Sequence, residues 1–84
     1  MIRTNDGHVL RSLRKHQGLT QHKLAELSGV SRASIADMER GYKNYRIQTL
    51  RDLLPYLGVS GSTFMKMVEE LDEMDAEEGL RIIR

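Results

Sequence analysis

Apolar positions recur along this chain three and four residues apart, the spacing of one helix face, and glycines punctuate them. Val9, Leu10 and Leu13 mark a helix over His8 to Gln17, with Gly18 as its stop. Thr20 is suited to cap a second helix, whose buried stripe is Leu24, Ala25 and Leu27 and whose end is Gly29. Lys23 stands where a capping box would carry Glu, so the hydroxyl is expected to cap alone. Val30 then drops into the core. Ser31 caps a third helix running to Arg40, with Ile35 and Met38 on its inner face. Gly41 closes it, and Tyr42 to Arg46 reads as a polar loop. Leu50, Leu53, Leu54 and Leu57 mark a fourth helix, ended by Gly58. Pro55 lies inside that pattern, and a proline in mid-helix costs on the order of 3 kcal/mol. A kink or a loosened last turn is predicted there. Ser60 caps a fifth helix with Phe64, Met67, Val68, Leu71 and Met74 on one face. Gly79 is predicted to break it, leaving Leu80, Ile82 and Ile83 in a short apolar tail. Met1 to Gly7 carries little pattern and is expected to fray. No alternating run of strand length appears, so the predicted fold class is all-α, with five helices and no sheet.

At 84 residues the chain is expected to form one domain over residues 1–74, with residues 75–84 as an acidic and apolar tail. A domain of this size buries only roughly 60–65% of its unfolded surface, so dimerisation would help it. Charge adds an asymmetry that the net value of +1 conceals. Through Ser60 there are ten basic against five acidic residues, +5; after it, three against seven, −4. A basic front and an acidic rear fit a protein that meets a polyanion with one face, although an ordinary solvated surface has the same look. There is no cysteine, hence no disulfide and no thiolate. No apolar run is long enough to span a membrane, Met1 to Leu10 lacks a signal-peptide shape, and a cytoplasmic protein is expected.

Glutamine 21 to Gly41 is the most specific stretch. Two short helices can cross steeply over a tight turn only if the crossing point is small, and Ala25 supplies a small contact. Gly29, four residues on, can take a positive φ without steric cost. Val30, Ile35 and Met38 then plug the second of the two helices into the core, with Arg32, Ala33, Ala36, Asp37 and Arg40 pointing largely away. Short polar side chains on an outward face suit the DNA major groove. With GLTQHKLAELSGVSRASIADMERG followed by TLRDLLPYLGVS, residues 9–59 resemble the lambda-repressor/Cro-type (XRE) helix-turn-helix regulators of bacteria and phages.

That resemblance implies a five-helix lambda-repressor-like DNA-binding domain. It also implies that Gln21 touches a phosphate and braces the third helix, that Arg32, Ala33 and Asp37 read bases, and that Ser34 contacts the backbone. Arg14 would pair with Glu39 as a structural ion pair. Two positions depart from the family pattern: Pro55 interrupts the fourth helix, and Arg46 replaces a small N-cap. Length and layout are also similar to the controller proteins of restriction-modification systems, and to small phage repressors and antitoxin-type regulators.

Several of these residues admit two readings. Arg32 is suited to a bidentate contact with guanine, worth about 1–3 kcal/mol of discrimination, or to a phosphate. Asp37 can accept from cytosine N4 or tether Arg32 or Arg40. Ala33 can meet a thymine methyl or simply favour the helix. Lys43, Asn44 and Arg46 read as phosphate ligands on a loop that tracks the backbone, with Ser31 beside them. Tyr42 and Tyr45 can donate to phosphates or pack in part, and Arg11 and Lys15 are surface residues or phosphate partners.

No catalytic residue, metal site or cofactor is expected. His8, His16 and His22 lack a metal spacing, and the acids from Glu69 to Glu78 lack a calcium loop and read as a solvated face. The expected partners are double-stranded DNA and a second copy of the chain, with RNA polymerase or a toxin as further candidates, and no membrane. One such unit makes too few contacts alone, so a two-fold dimer is predicted, its half-sites ~34–36 Å apart or a multiple. The seam is placed on Phe64, Met67, Val68, Leu71, Leu80, Ile82 and Ile83. A domain that docks another regulator would instead carry apolar residues on the outward face.

Overall fold

The computed structural model describes residues 5–42 and 45–83, with side chains described through Met74. Five helices follow in order: α1 (Asp6–His16), α2 (Gln21–Ser28), α3 (Arg32–Glu39), α4 (Ile47–Leu57) and α5 (Gly61–Ile83). Among the described residues there is no β-strand. α1 lies at the centre and packs against α3, α4 and α5, while α2 packs against α3 and α4.

Local signals place the helix boundaries. Thr20 accepts from the Lys23 amide at 3.0 Å, Ser31 from the Ser34 amide at 3.1 Å and Ser60 from the Thr63 amide at 3.2 Å. Gly29 and Gly58 cap α2 and α4 at φ +78°, where a β-carbon would strain the backbone. Arg46 occupies the N-cap of α4 with no side-chain cap bond. Pro55 falls in the last turn of α4, which ends two residues later. The lost donor is therefore confined to a helix end.

Among the described residues, ten side chains form the core: Val9, Leu10, Leu24, Ile35, Met38, Leu50, Leu53, Leu57, Phe64 and Val68. Leu13, Ala25, Val30, Leu54, Met67 and Leu71 pack around them. Four expectations change. α1 begins at Asp6, and Asp6 and Gly7 are buried rather than frayed; an acid at the positive end of a helix dipole favours this start. Leu27 is 41% exposed, because the buried arc of α2 runs through Leu24, Ala25 and Ser28 and leaves Leu27 on its far edge. Phe64 and Val68 are 0% and 4% exposed in the single chain, so they fill its own core and offer no surface to a partner. α5 continues through Gly79 to Ile83, since one helical glycine costs only about 1 kcal/mol. Its hydrogen-bonded length of 23 residues is not punctuated at residue 75.

Candidate nucleic-acid interface

The turn between α2 and α3 is held by backbone geometry. The Gly29 amide donates to the Ala25 carbonyl at 3.0 Å, and the Val30 amide donates to the Ser28 hydroxyl at 3.1 Å. Buried Ile35 and Met38 fix the rotation of α3 about its axis. Arg32, Ala33, Ser34, Asp37 and Arg40 are thereby exposed, with Ala36 half-buried. On this face Ser31 donates to the Ser34 hydroxyl at 2.8 Å while accepting the Ser34 amide. The Ser34 hydroxyl keeps its own proton for another acceptor. Arg40 Nη1 lies 2.8 Å from Asp37 Oδ1, both side chains more than half exposed. Of Asp37's two expected tethers, the geometry has Arg40.

The far end of α3 is tied down from two other helices. Arg14 Nε donates to Glu39 Oε2 at 2.6 Å and Nη2 to Oε1 at 2.9 Å, while Nη1 reaches the Leu19 carbonyl at 2.7 Å. The hydrogen bonds and charge of Glu39 raise the Arg14 pKa further above its ordinary value, against the opposing effect of burial. Gln21, the first residue of α2, donates to the same carboxylate at 3.2 Å. Gln21 thus braces α3 through Glu39. Arg11 and Arg40 flank it in a polar cleft of about 260 Å³.

Beside α3, Ser34, Asp37, Met38, Tyr42, Tyr45, Arg46 and Thr49 line a concavity of about 400 Å³. Arg46 is exposed on its rim. A cation at a helix N-terminus has the wrong sign for the dipole, a penalty that a bound anion would relieve. Tyr42 is half-buried and its amide donates to the Asp37 carbonyl at 3.2 Å. Lys43 and Asn44, expected as phosphate ligands, lie outside the described residues, as do the side chains of Leu80, Ile82 and Ile83. Met67 and Leu71 are half-buried against α1, and Met74 is 63% exposed.

Beside this concavity lies a contact that sequence reasoning missed. The Tyr45 hydroxyl donates to Asp6 Oδ2 in the first turn of α1. Burial, then this bond, then the carboxylate's charge push the Tyr45 phenol well above its ordinary range. Nothing local in the sequence marks a pair 39 residues apart. Among the described residues, no group of acids and histidines could hold a metal, and no helix is long and apolar enough to cross a membrane.

Known proteins are similar in sequence and in overall fold. A family model described as Helix-turn-helix matches residues 10–64. The chain is 39% identical over 67 residues to the HTH-type transcriptional regulator PuuR of Escherichia coli, covering 80% of this chain and 36% of that one. It is 35% identical over 66 residues to a competence pilus inhibition repressor of Acinetobacter baylyi, covering 79% and 60%. The chain therefore spans 36% and 60% of these relatives' length, under two thirds of each. Among solved structures, it is similar to the wild-type restriction-modification controller protein C.Esp1396I, with a TM-score of 0.70, 30% identity and coverage of 80% and 88%. The tetramer of that controller in complex with its natural 35 base-pair operator matches with the same score, identity and coverage.

Proposed function

The chain belongs to the helix-turn-helix family of XRE-type transcriptional regulators, and on that footing we propose that it binds a pseudo-palindromic operator as a homodimer, reading bases with α3. One observation carries the reading. The exposed face of α3 presents Arg32, Ala33, Ser34 and Asp37, while Ile35 and Met38 lock its opposite face into the core.

The roles follow from position. Arg32, Ala33 and Asp37 face base edges. Gln21, Ser34, Tyr42 and Arg46 supply donors for phosphate oxygens around that face, and Ser31, whose hydroxyl proton goes to Ser34, contributes its backbone amide; Lys43 and Asn44, which follow Tyr42 in the sequence, are assigned the same role. A controller protein of similar fold binds its operator as a tetramer, which supports an assembly of more than one copy here. The pairing surface is assigned to Met67, Leu71 and Met74 of α5, the first two half-buried and the last exposed, together with Leu80, Ile82 and Ile83. Residues 1–74 are the DNA-binding domain in this reading, and residues 75–84 are a C-terminal tail assigned to the pairing surface. The protein works as a binding module in the cytoplasm, without a reaction of its own.

Selection of bound duplexes from a random pool, followed by anisotropy titration at several salt concentrations, tests this. A two-fold symmetric consensus and a steep salt dependence are expected. Absence of binding to any duplex even in dilute buffer would sink it.

A further inference from the structure

We propose that Asp6 and Tyr45 are a positioning pair that sets where Arg46 and the first turn of α4 meet the DNA backbone. This rests on the DNA-binding reading above.

Three of the helices that follow α1 have their starts pinned by a hydroxyl: Thr20 for α2, Ser31 for α3 and Ser60 for α5. α4 does not, because its N-cap is Arg46, which makes no cap bond. Tyr45, one residue earlier, supplies the missing anchor by donating to Asp6. Asp6 is 6% exposed and sits on the central helix, so the anchor point is itself fixed. The adjacent residue, Gly7, holds the other side of the same gap. A β-carbon there would lie 2.8 Å from the Glu39 carbonyl oxygen and 2.9 Å from the Gly41 amide nitrogen, with the Met38 carbonyl closer still. Two consecutive residues of α1 therefore grip both the end of α3 and the approach to α4. The spacing between the base-reading face and Arg46 is set by α1, rather than by the short connection alone.

The same contact removes Tyr45 from the list of phosphate donors, since its hydroxyl proton goes to Asp6. Its ring instead forms a wall of the concavity that Arg46 and Thr49 also line. Tyr45 acts through its neighbour.

The test uses the full chain as Tyr45→Phe, Asp6→Ala, Asp6→Asn and the double variant Asp6→Ala/Tyr45→Phe. Amide exchange without DNA is read at Gly41, Tyr42 and the first turn of α4. Binding is read on the selected operator and on a scrambled duplex across a salt series. Tyr45→Phe and Asp6→Ala should each speed exchange at those amides about tenfold, with the α2–α3 amides unchanged. Each should weaken both duplexes alike by about three- to tenfold and flatten the salt dependence, and the double variant should be no worse than either. Asp6→Asn should restore binding, because its amide oxygen still accepts. If Tyr45→Phe weakens binding and Asp6→Ala does not, Tyr45 touches DNA itself and the proposal falls. It falls equally if both variants melt earlier yet bind as wild type at a temperature where they are folded. Should the wild-type chain bind no duplex, the DNA-binding reading fails; the exchange data then decide alone, with unchanged protection overturning the pair.

Discussion

Arg14 and Glu39 stand 25 residues apart and meet through two hydrogen bonds, 2.6 and 2.9 Å long, with side chains only 9% and 5% exposed. The pair joins the central helix to the last residue of α3, and Gln21 adds α2 to the same carboxylate. A buried pair is poor evidence for net stability, but breaking one leaves a charge stranded. Arg14→Met should leave Glu39 with Gln21 as its remaining side-chain donor and lower stability by about 3 kcal/mol. Urea denaturation at neutral pH measures this, and a loss below about 1 kcal/mol would mean that water reaches the carboxylate freely.

Two glycine variants separate packing from backbone conformation. Gly29→Ala adds a methyl group with nothing within 4 Å, so its cost comes from φ +78° alone, about 1 kcal/mol. Gly7→Ala has an ordinary helical backbone but drives a methyl group into carbonyls at the end of α3, which costs about 2–3 kcal/mol through backbone shifts. Thermal melts should rank Gly7→Ala as the more damaging; the reverse order would show that α1 can slide away from α3.

Arg32 and Arg46 should fail differently on DNA. Arg32→Ala is expected to relax base choice at one position of each half-site, by about 1–3 kcal/mol. Arg46→Ala should weaken all sequences alike and lower the salt slope by about one. Anisotropy titrations on the operator, on single-base variants and on a scrambled duplex distinguish the two. Equal loss of discrimination in both variants would contradict the assignment of α3 to the bases.

Tyr45 gives a pH signature. Folding raises its pKa above the unfolded value of 10.0. The stabilisation is complete below that pH and is lost as pH climbs toward the folded value, because above 10 the unfolded chain has released a proton that the folded one still holds. Above pH 10, wild type should therefore lose stability more steeply than Tyr45→Phe, which has no phenol to ionise. Parallel decline in urea titrations of the two would show the phenol to be open to solvent.

Met74 tests the pairing surface without disturbing the fold, since its side chain is 63% exposed. Met74→Glu should leave the thermal midpoint of a dilute sample unchanged and shift sedimentation toward the single-chain species. An unaltered sedimentation profile would move the seam elsewhere.

Legibility followed distance along the chain. Thr20, Gly29 and Ser31 announce helix boundaries through bonds that span a few residues, so residue type and spacing suffice. Ile35 and Met38 were readable because an eight-residue helix has one inner face. By contrast, Phe64 and Val68 are apolar in the right rhythm for either a seam or a core, and rhythm does not say which neighbour covers them. Leu27 fits the α2 stripe by spacing but stays exposed, because the arc of α2 that faces α3 and α4 is chosen by their crossing. The Asp6–Tyr45 bond, like the Gly7 contact, depends on chain segments meeting in space and leaves no periodic trace.

Because Phe64 and Val68 are sealed inside one polypeptide, a solitary subunit already has its interior complete. In the proposed dimer, such a subunit would stay folded at concentrations too low for it to find a mate. On the proposed two-fold reading, assembly is governed by dosage, and occupancy of the target rises faster than in proportion to the amount of protein a cell makes.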